Sequence, residues 1–386
     1  MRYPIDSLSI ANLLAPVVET SVALTRLDER LQASPVGQGW IERSQFADAA
    51  AALWLEGELV QLEDLVLHDE RMDVRAPTHE LTRAHTILRA RRRISAAKPD
   101  WALSPPGLRE LAGLSAAGDS ADKSGQPDAF QQESEQTDGD ESEPASDQVV
   151  DEEDPLASHF AALDAVLART SQLLDGATPP PRASASPMIT TQPRERPTLI
   201  YDLDWDEEAR MAEWVAVLDE TSELPVMLRA AILLDAWGQI EVLQHGGWLG
   251  GLLVASLLRR EGLTGQHLAC LHLGSRNIAR ERRRSPDRTR RLLALLESMA
   301  AAAELGLKQH DRLVLAKAQM EQRLKNRRSS SKLPDLVALV LSRPLVTAPM
   351  IEKRLKVTQQ GALNLIDELA LREMTGRKRF RAWGVL

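Results

Sequence analysis

Thr358, Gln359, Gln360 and Asn364 open a segment in which Ala362, Leu363, Ile366 and Leu369 recur at helical spacing. On such a helix the apolar residues form a core face and the amides project from the opposite side. A side-chain amide offers a donor and an acceptor together, which matches the adenine edge in the major groove of DNA. Further on, Arg377, Lys378, Arg379 and Arg381 cluster around Gly376. Their charges suit phosphates or an adjacent minor groove. The chemistry predicted here is base reading with a phosphate clamp.

The flanking residues supply the elements such a site needs. Leu333 to Leu341 reads as a first apolar helix, and a second opens at Ala348 behind a possible Thr347 cap. Lys356-Val357-Thr358 is then a turn, with Thr358 as cap of a third helix from Gln359 to about Ala370. Glu373 to Trp383 alternates basic with other residues around Gly376, as a short hairpin wing would. The pattern predicts a winged helix-turn-helix, double-stranded DNA as partner, and a homodimer on a two-fold site as a further possibility. The competing reading is a helical interaction module whose basic tail binds an acidic protein.

Elsewhere the residues that could do chemistry do not assemble into a signature. Gly246-Gly247-Trp248-Leu249-Gly250-Gly251 lacks the Lys-Ser or Lys-Thr of a phosphate loop and reads as a tight turn between helices. His245 precedes it, and His267 and His272 follow at a spacing that does not share a helix face. Asp235 and Glu241 are candidates to line a pocket, without a general acid–base pairing. The single cysteine, Cys270, lies in an apolar run and reads as a structural thiol. No catalytic residue, cofactor or metal site is expected.

Charge is divided along the chain. The formal net charge is -9 over 386 residues, yet residues 114–155 carry fourteen acids against one Lys. Residues 276–332 carry sixteen Lys and Arg against six acids, so the basic end is suited to a polyanion. Within it, Arg280 to Arg291 either reaches phosphates or pairs with carboxylates. Arg89 and Arg91-Arg92-Arg93 read as a solvated helix end.

With 43% hydrophobic and 4% aromatic residues, the expected fold class is mainly α: a multi-helix body, an acidic disordered linker and the C-terminal winged helix-turn-helix. The expected divisions are an N-terminal helical domain over 1–112, the linker over 113–155, an amphipathic helix over 156–176 and a Pro-rich linker over 177–197. A central helical domain over 198–325 and the winged helix over 326–386 complete the chain. Helices are predicted over Ile10–Leu31, Phe46–Leu67, Thr78–Ile94, Leu228–Gln244, Asp287–Leu305 and Gln309–Lys325. No membrane span and no secretory signal are read, so the expected location is cytoplasmic.

Two resemblances follow from particular stretches. Tyr201-Asp202, Asp204-Trp205-Asp206, Leu233 to Trp237, His245 to Leu253, Ser330 to Pro334 and Met374 through Trp383 resemble a family of uncharacterised bacterial proteins, often plasmid-borne. In that family a helical domain of unknown function precedes a helix-turn-helix DNA-binding domain. These motifs define a family and not an activity; with the winged helix, the expected function is sequence-selective DNA binding in transcriptional regulation or mobile-element maintenance. More distantly, Ala51 to Leu67 and Gly250 through Leu263 are similar to Fic-type proteins, whose helical core transfers AMP from ATP to a hydroxyl. Here His245 is followed by Gly246-Gly247-Trp248-Leu249, without the anion-binding Gly-Asn-Gly-Arg segment, and Ala52 stands where the inhibitory motif has Ser or Thr. A Fic-like core of this kind would lack the groups that stabilise phosphoryl transfer. The enzyme alternative is a divergent nucleotidyl transferase using His245, with the winged helix as an accessory DNA-binding domain.

Overall fold

The computed structural model describes residues 3–5, 10–72, 76–113, 205–324, 332–375 and 381–385. The expected acidic linker, amphipathic helix and Pro-rich linker lie outside the described residues. So do residues 326–331 at the start of the expected winged-helix domain.

The first stretch forms α1 (Ile10–Gln32), α2 (Gly37–Glu56), α3 (Leu62–Asp69), α4 (His79–Ala96) and α5 (Pro105–Ala112). The single helix predicted over 46–67 is two. Gly57 adopts a left-handed conformation (φ 92°) and its N–H bonds the carbonyls of Leu53 and Trp54, which ends α2. Thr78 caps α4 by accepting from the Leu81 amide at 3.3 Å. The second stretch forms α6 (Glu207–Glu220), α7 (Val226–Ile240), α8 (Trp248–Arg260), α9 (Leu271–Ser275), α10 (Arg280–Arg283) and α11 (Arg288–Leu324). Asp206 caps α6 by accepting from Ala209 N at 2.9 Å.

The two helices predicted over 287–325 are one helix of 37 residues, about 55 Å long. Gly306, between the two predicted helices, lies inside it because its missing side chain makes room for neighbours. A Cβ there would stand 2.6 Å from a Leu27 methyl and 3.0 Å from the Trp40 ring. Trp40 Nε1 also donates to the Gly306 carbonyl at 3.1 Å. Glycine here is a packing residue.

The two stretches, far apart in sequence, share one apolar core. α1 lies along α11, burying Leu13, Leu24, Leu27 and Leu31. α7 and α8 are apolar on nearly every side and occupy its centre, where Ala230, Ile232, Leu233, Leu252, Leu253 and Leu257 are fully buried. Each large aliphatic side chain so buried contributes roughly 1.5–3 kcal/mol.

Buried polar groups cross between the stretches as well. Asp48 on α2 meets Arg91 on α4, His272 Nδ1 at 2.8 Å and the Leu273 amide at 2.8 Å. Tyr3 donates its hydroxyl to Asp235 on α7 at 2.7 Å, and Arg291 on α11 donates to the same carboxylate at 2.6 and 3.0 Å. Burial and the Asp235 charge push the Tyr3 phenol well above its ordinary value.

Candidate nucleic-acid interface

The C-terminal residues form α12 (Leu333–Ser342), β1 (Val346–Thr347), α13 (Ala348–Leu355), α14 (Gln359–Leu369), β2 (Arg372–Glu373) and β3 (Ala382–Gly384). The strands form an antiparallel sheet in the order β1-β3-β2, with Val346 opposite Trp383 and Arg372 opposite Gly384. Three helices with a β-hairpin after the third is the winged helix-turn-helix arrangement.

Local chemistry explains each boundary. Thr347 accepts from Met350 N at 3.4 Å, and Thr358 accepts from Gly361 N at 3.1 Å, so both predicted caps are in place. Lys356 makes the turn in a left-handed conformation (φ 55°, ψ 51°), a conformation that costs a non-glycine residue about 1 kcal/mol. Ala370 is left-handed too, and Arg323 from α11 donates to the carbonyls of Leu369 and Ala370 at the end of α14. A cation there also suits the negative end of the helix dipole.

Of the four residues expected in the core of α14, Ala362, Ile366 and Leu369 are fully buried. Leu363 is half-buried, packed against the core from the edge of the buried face, and corrects the expectation. Thr358, Gln359, Gln360, Asn364 and Asp367 are exposed. Gln360 Nε2 donates to Asn364 Oδ1 at 2.9 Å along this exposed face. Arg377, Lys378 and Arg379 lie outside the described residues. Arg381 is exposed, ion-paired to Glu373 at 2.7 Å and stacked over Trp383 at 5.1 Å. Lys353, Arg354 and Lys356 are exposed on α13 and the turn; sequence reasoning passed over them because it weighted the recognition helix and the wing.

The rest of the module is held by the body. Glu70, at the end of α3, is buried between Arg343 (3.3 Å) and Arg354 (2.7 Å), and Arg343 also reaches Glu42 at 3.3 Å. Arg43 on α2 donates to the carbonyls of Val340 and Arg343. Leu345, Met350 and Ala382 join Phe46, Leu53, Leu65 and Leu88 in one apolar cluster. These contacts occupy α12, the outer side of α13 and part of the sheet. The amides near the start of α14 remain in solvent.

Other groups singled out from the sequence have structural duties. Arg91 is fully buried, so the solvated helix end is corrected: it donates to Asp48, Gln45 (3.2 Å) and the Leu268 carbonyl (3.1 Å). Arg92 forks onto Asp69 at 2.5 and 3.0 Å. Asp235 is buried against Tyr3 and Arg291. In the basic tract Arg282 pairs with Glu297 at 2.5 Å and Arg283 donates to the Ile278 carbonyl at 3.0 Å, while Arg280, Arg284 and Arg290 are exposed.

Gly250 and Gly251 lie inside α8, not in a turn. A Cβ on Gly250 would overlap the Trp237 ring, and one on Gly251 would come 2.5 Å from His272 Nε2. His272 bridges Asp48 and the Trp248 carbonyl (2.9 Å), and His267 pairs with Asp28 at 2.7 Å. Glu56 accepts from the Trp248 amide at 3.1 Å at the start of α8. Burial pushes the Cys270 thiol up to about 11. Among the described residues no three His, Cys, Asp or Glu side chains converge as metal ligands, and no helix is long and apolar enough to cross a membrane.

Comparison with known proteins agrees with this division of labour. Residues 199–325 match a family described as a protein of unknown function (DUF1612), and residues 333–386 match an HTH DNA binding domain. Over 394 aligned residues, covering all of both chains, the protein is 49% identical to the uncharacterized protein y4cF of Sinorhizobium fredii (strain NBRC 101917 / NGR234). The chain therefore belongs to the family of that protein, in which a helical domain of unknown function is followed by a helix-turn-helix DNA-binding domain.

Proposed function

We propose that the protein binds double-stranded DNA at selected sequences, and that it serves in transcriptional regulation or the maintenance of a mobile element. One observation carries the reading: the body grips the module from several sides, yet Gln359, Gln360 and Asn364 at the start of α14 stay in solvent. A polar helix face presented in this way suits a major groove. Thr358 and Gln359 serve at the groove edge, Gln360 and Asn364 at the bases, and Arg377, Lys378, Arg379 and Arg381 on phosphates. Among the described residues each chain has one such helix, and a homodimer on a two-fold site belongs to the same reading.

The test is selection from a pool of random duplexes by the full-length protein at two salt concentrations. The expected result is an enriched motif that persists at the higher salt, arranged as an inverted repeat if the dimer is right. Replacing Arg377, Lys378, Arg379 and Arg381 with Ala should weaken binding severely and make the salt dependence shallower. Binding that disappears with salt and enriches nothing would overturn sequence selectivity and favour an acidic protein as the partner of the basic tail.

A further inference from the structure

Resting on the DNA-reading role above, we propose that Gln360 and Asn364 act together as one composite reader of a single adenine. The geometry begins with the bond between them, Gln360 Nε2 to Asn364 Oδ1 at 2.9 Å, on an exposed face one helical turn apart. That bond uses the acceptor oxygen of Asn364 and one N–H of Gln360. Unused by that bond on this exposed face are, besides the second Gln360 N–H, a donor, the Asn364 amide nitrogen, and an acceptor, Gln360 Oε1.

In the major groove adenine presents an acceptor (N7) beside a donor (the N6 amine), the complement of that pair. Guanine presents two acceptors there, cytosine a donor, and thymine an acceptor with a methyl group. Among single bases only adenine satisfies both free groups at once. The mutual bond also holds both long side chains before DNA arrives, which lowers the ordering cost of binding.

The rest of α14 points the same way. Residues 359–369 contain no Lys or Arg, so this helix has no guanidinium or ammonium to fork onto guanine. Asp367, exposed one turn beyond Asn364, repels phosphate and marks the end of the reading face.

The experiment uses the full-length protein and the motif enriched from the random pool. Each adenine is replaced in turn by 7-deazaadenine, which removes N7 and keeps Watson–Crick pairing. The expected result is one adenine per half-site whose replacement weakens wild-type binding on the order of tenfold. Asn364→Ala should weaken binding to the natural site comparably and be insensitive to the analogue at that position. Gln360→Ala should reduce discrimination at the same base pair and no other. A motif without an invariant A·T pair, tolerance of the analogue at every adenine, or additive effects of Asn364→Ala and the analogue would each overturn the composite reader. If the wild-type protein enriches no motif, the DNA-reading role itself fails; if it does but no adenine is sensitive, only this inference fails.

Discussion

Asp48 is wholly buried, and burial by itself would raise its pKa. The Arg91 guanidinium, His272 and the Leu273 amide outweigh that and hold the carboxyl below its usual range. Its folded value is therefore lower than its unfolded value of about 4, and its stabilising contribution is complete above that pH. The contribution is lost as pH falls through the depressed folded value. Urea unfolding should accordingly show a midpoint that drops below about pH 4, with Asp48→Asn flattening that acid limb. Asp48→Ala, which strands a buried guanidinium, should cost about 3–5 kcal/mol at neutral pH. An unchanged midpoint in the Ala variant would show that Arg91 finds another partner.

At the scale of elements, close approach decides where helices run and which residues they admit. α8 carries Gly250 and Gly251 in its first turns because the Trp237 and His272 rings press directly on its backbone. A methyl at Gly250 would meet the flat of the Trp237 indole, which is held edge-to-face against Trp214 at 5.4 Å and has little room to withdraw. Alanine is the better helix former. Overpacking should nevertheless win, and Gly250→Ala should destabilise the protein by about 1–3 kcal/mol. Thermal melting checks the sign: a raised Tm would mean that the ring moves aside and that helix propensity dominates.

For the whole molecule, the helix-turn-helix module is joined to the body by side chains on both sides of the junction. Arg323 caps α14 from α11, Arg43 reaches the end of α12 from α2, and Glu70 holds Arg343 and Arg354 together. Glu70→Ala removes the shared carboxylate and leaves Arg343 with Glu42 alone, at a side-chain exposure of 12%. The loss should be about 1–3 kcal/mol, read as faster hydrogen exchange in α12 and α13 than in α7 and α8. Equal exchange in wild type and variant would mean that the apolar cluster around Phe46 and Met350 is sufficient to hold the module. The 49% identity to the rhizobial relative spans both body and module, so the pair is kept as one chain in both proteins.

Much of the module was legible because its signals are local. Thr347 and Thr358 cap helices a few residues away, Ala362, Ile366 and Leu369 repeat at helical spacing, and the amides fall on the other face. None of that needs a distant partner. The arginines and glycines were misread for the opposite reason. Arg91 reads as solvated until Asp48 and the Leu268 carbonyl, 43 and 177 residues away, are placed around it. Residues 306–308 read as a gap between two helices until Leu27 and Trp40 fill the space a Gly306 side chain would occupy. Asp235 becomes a buried partner only when Tyr3, 232 residues before it, and Arg291, 56 residues after it, are placed around it. The sequence by itself determined the helical class, the caps, the periodic faces and the segregation of charge, since each depends on neighbours within a turn or two. Tertiary structure decided which charges are spent inside and which face stays open, because burial and pairing depend on residues that chain order does not bring together.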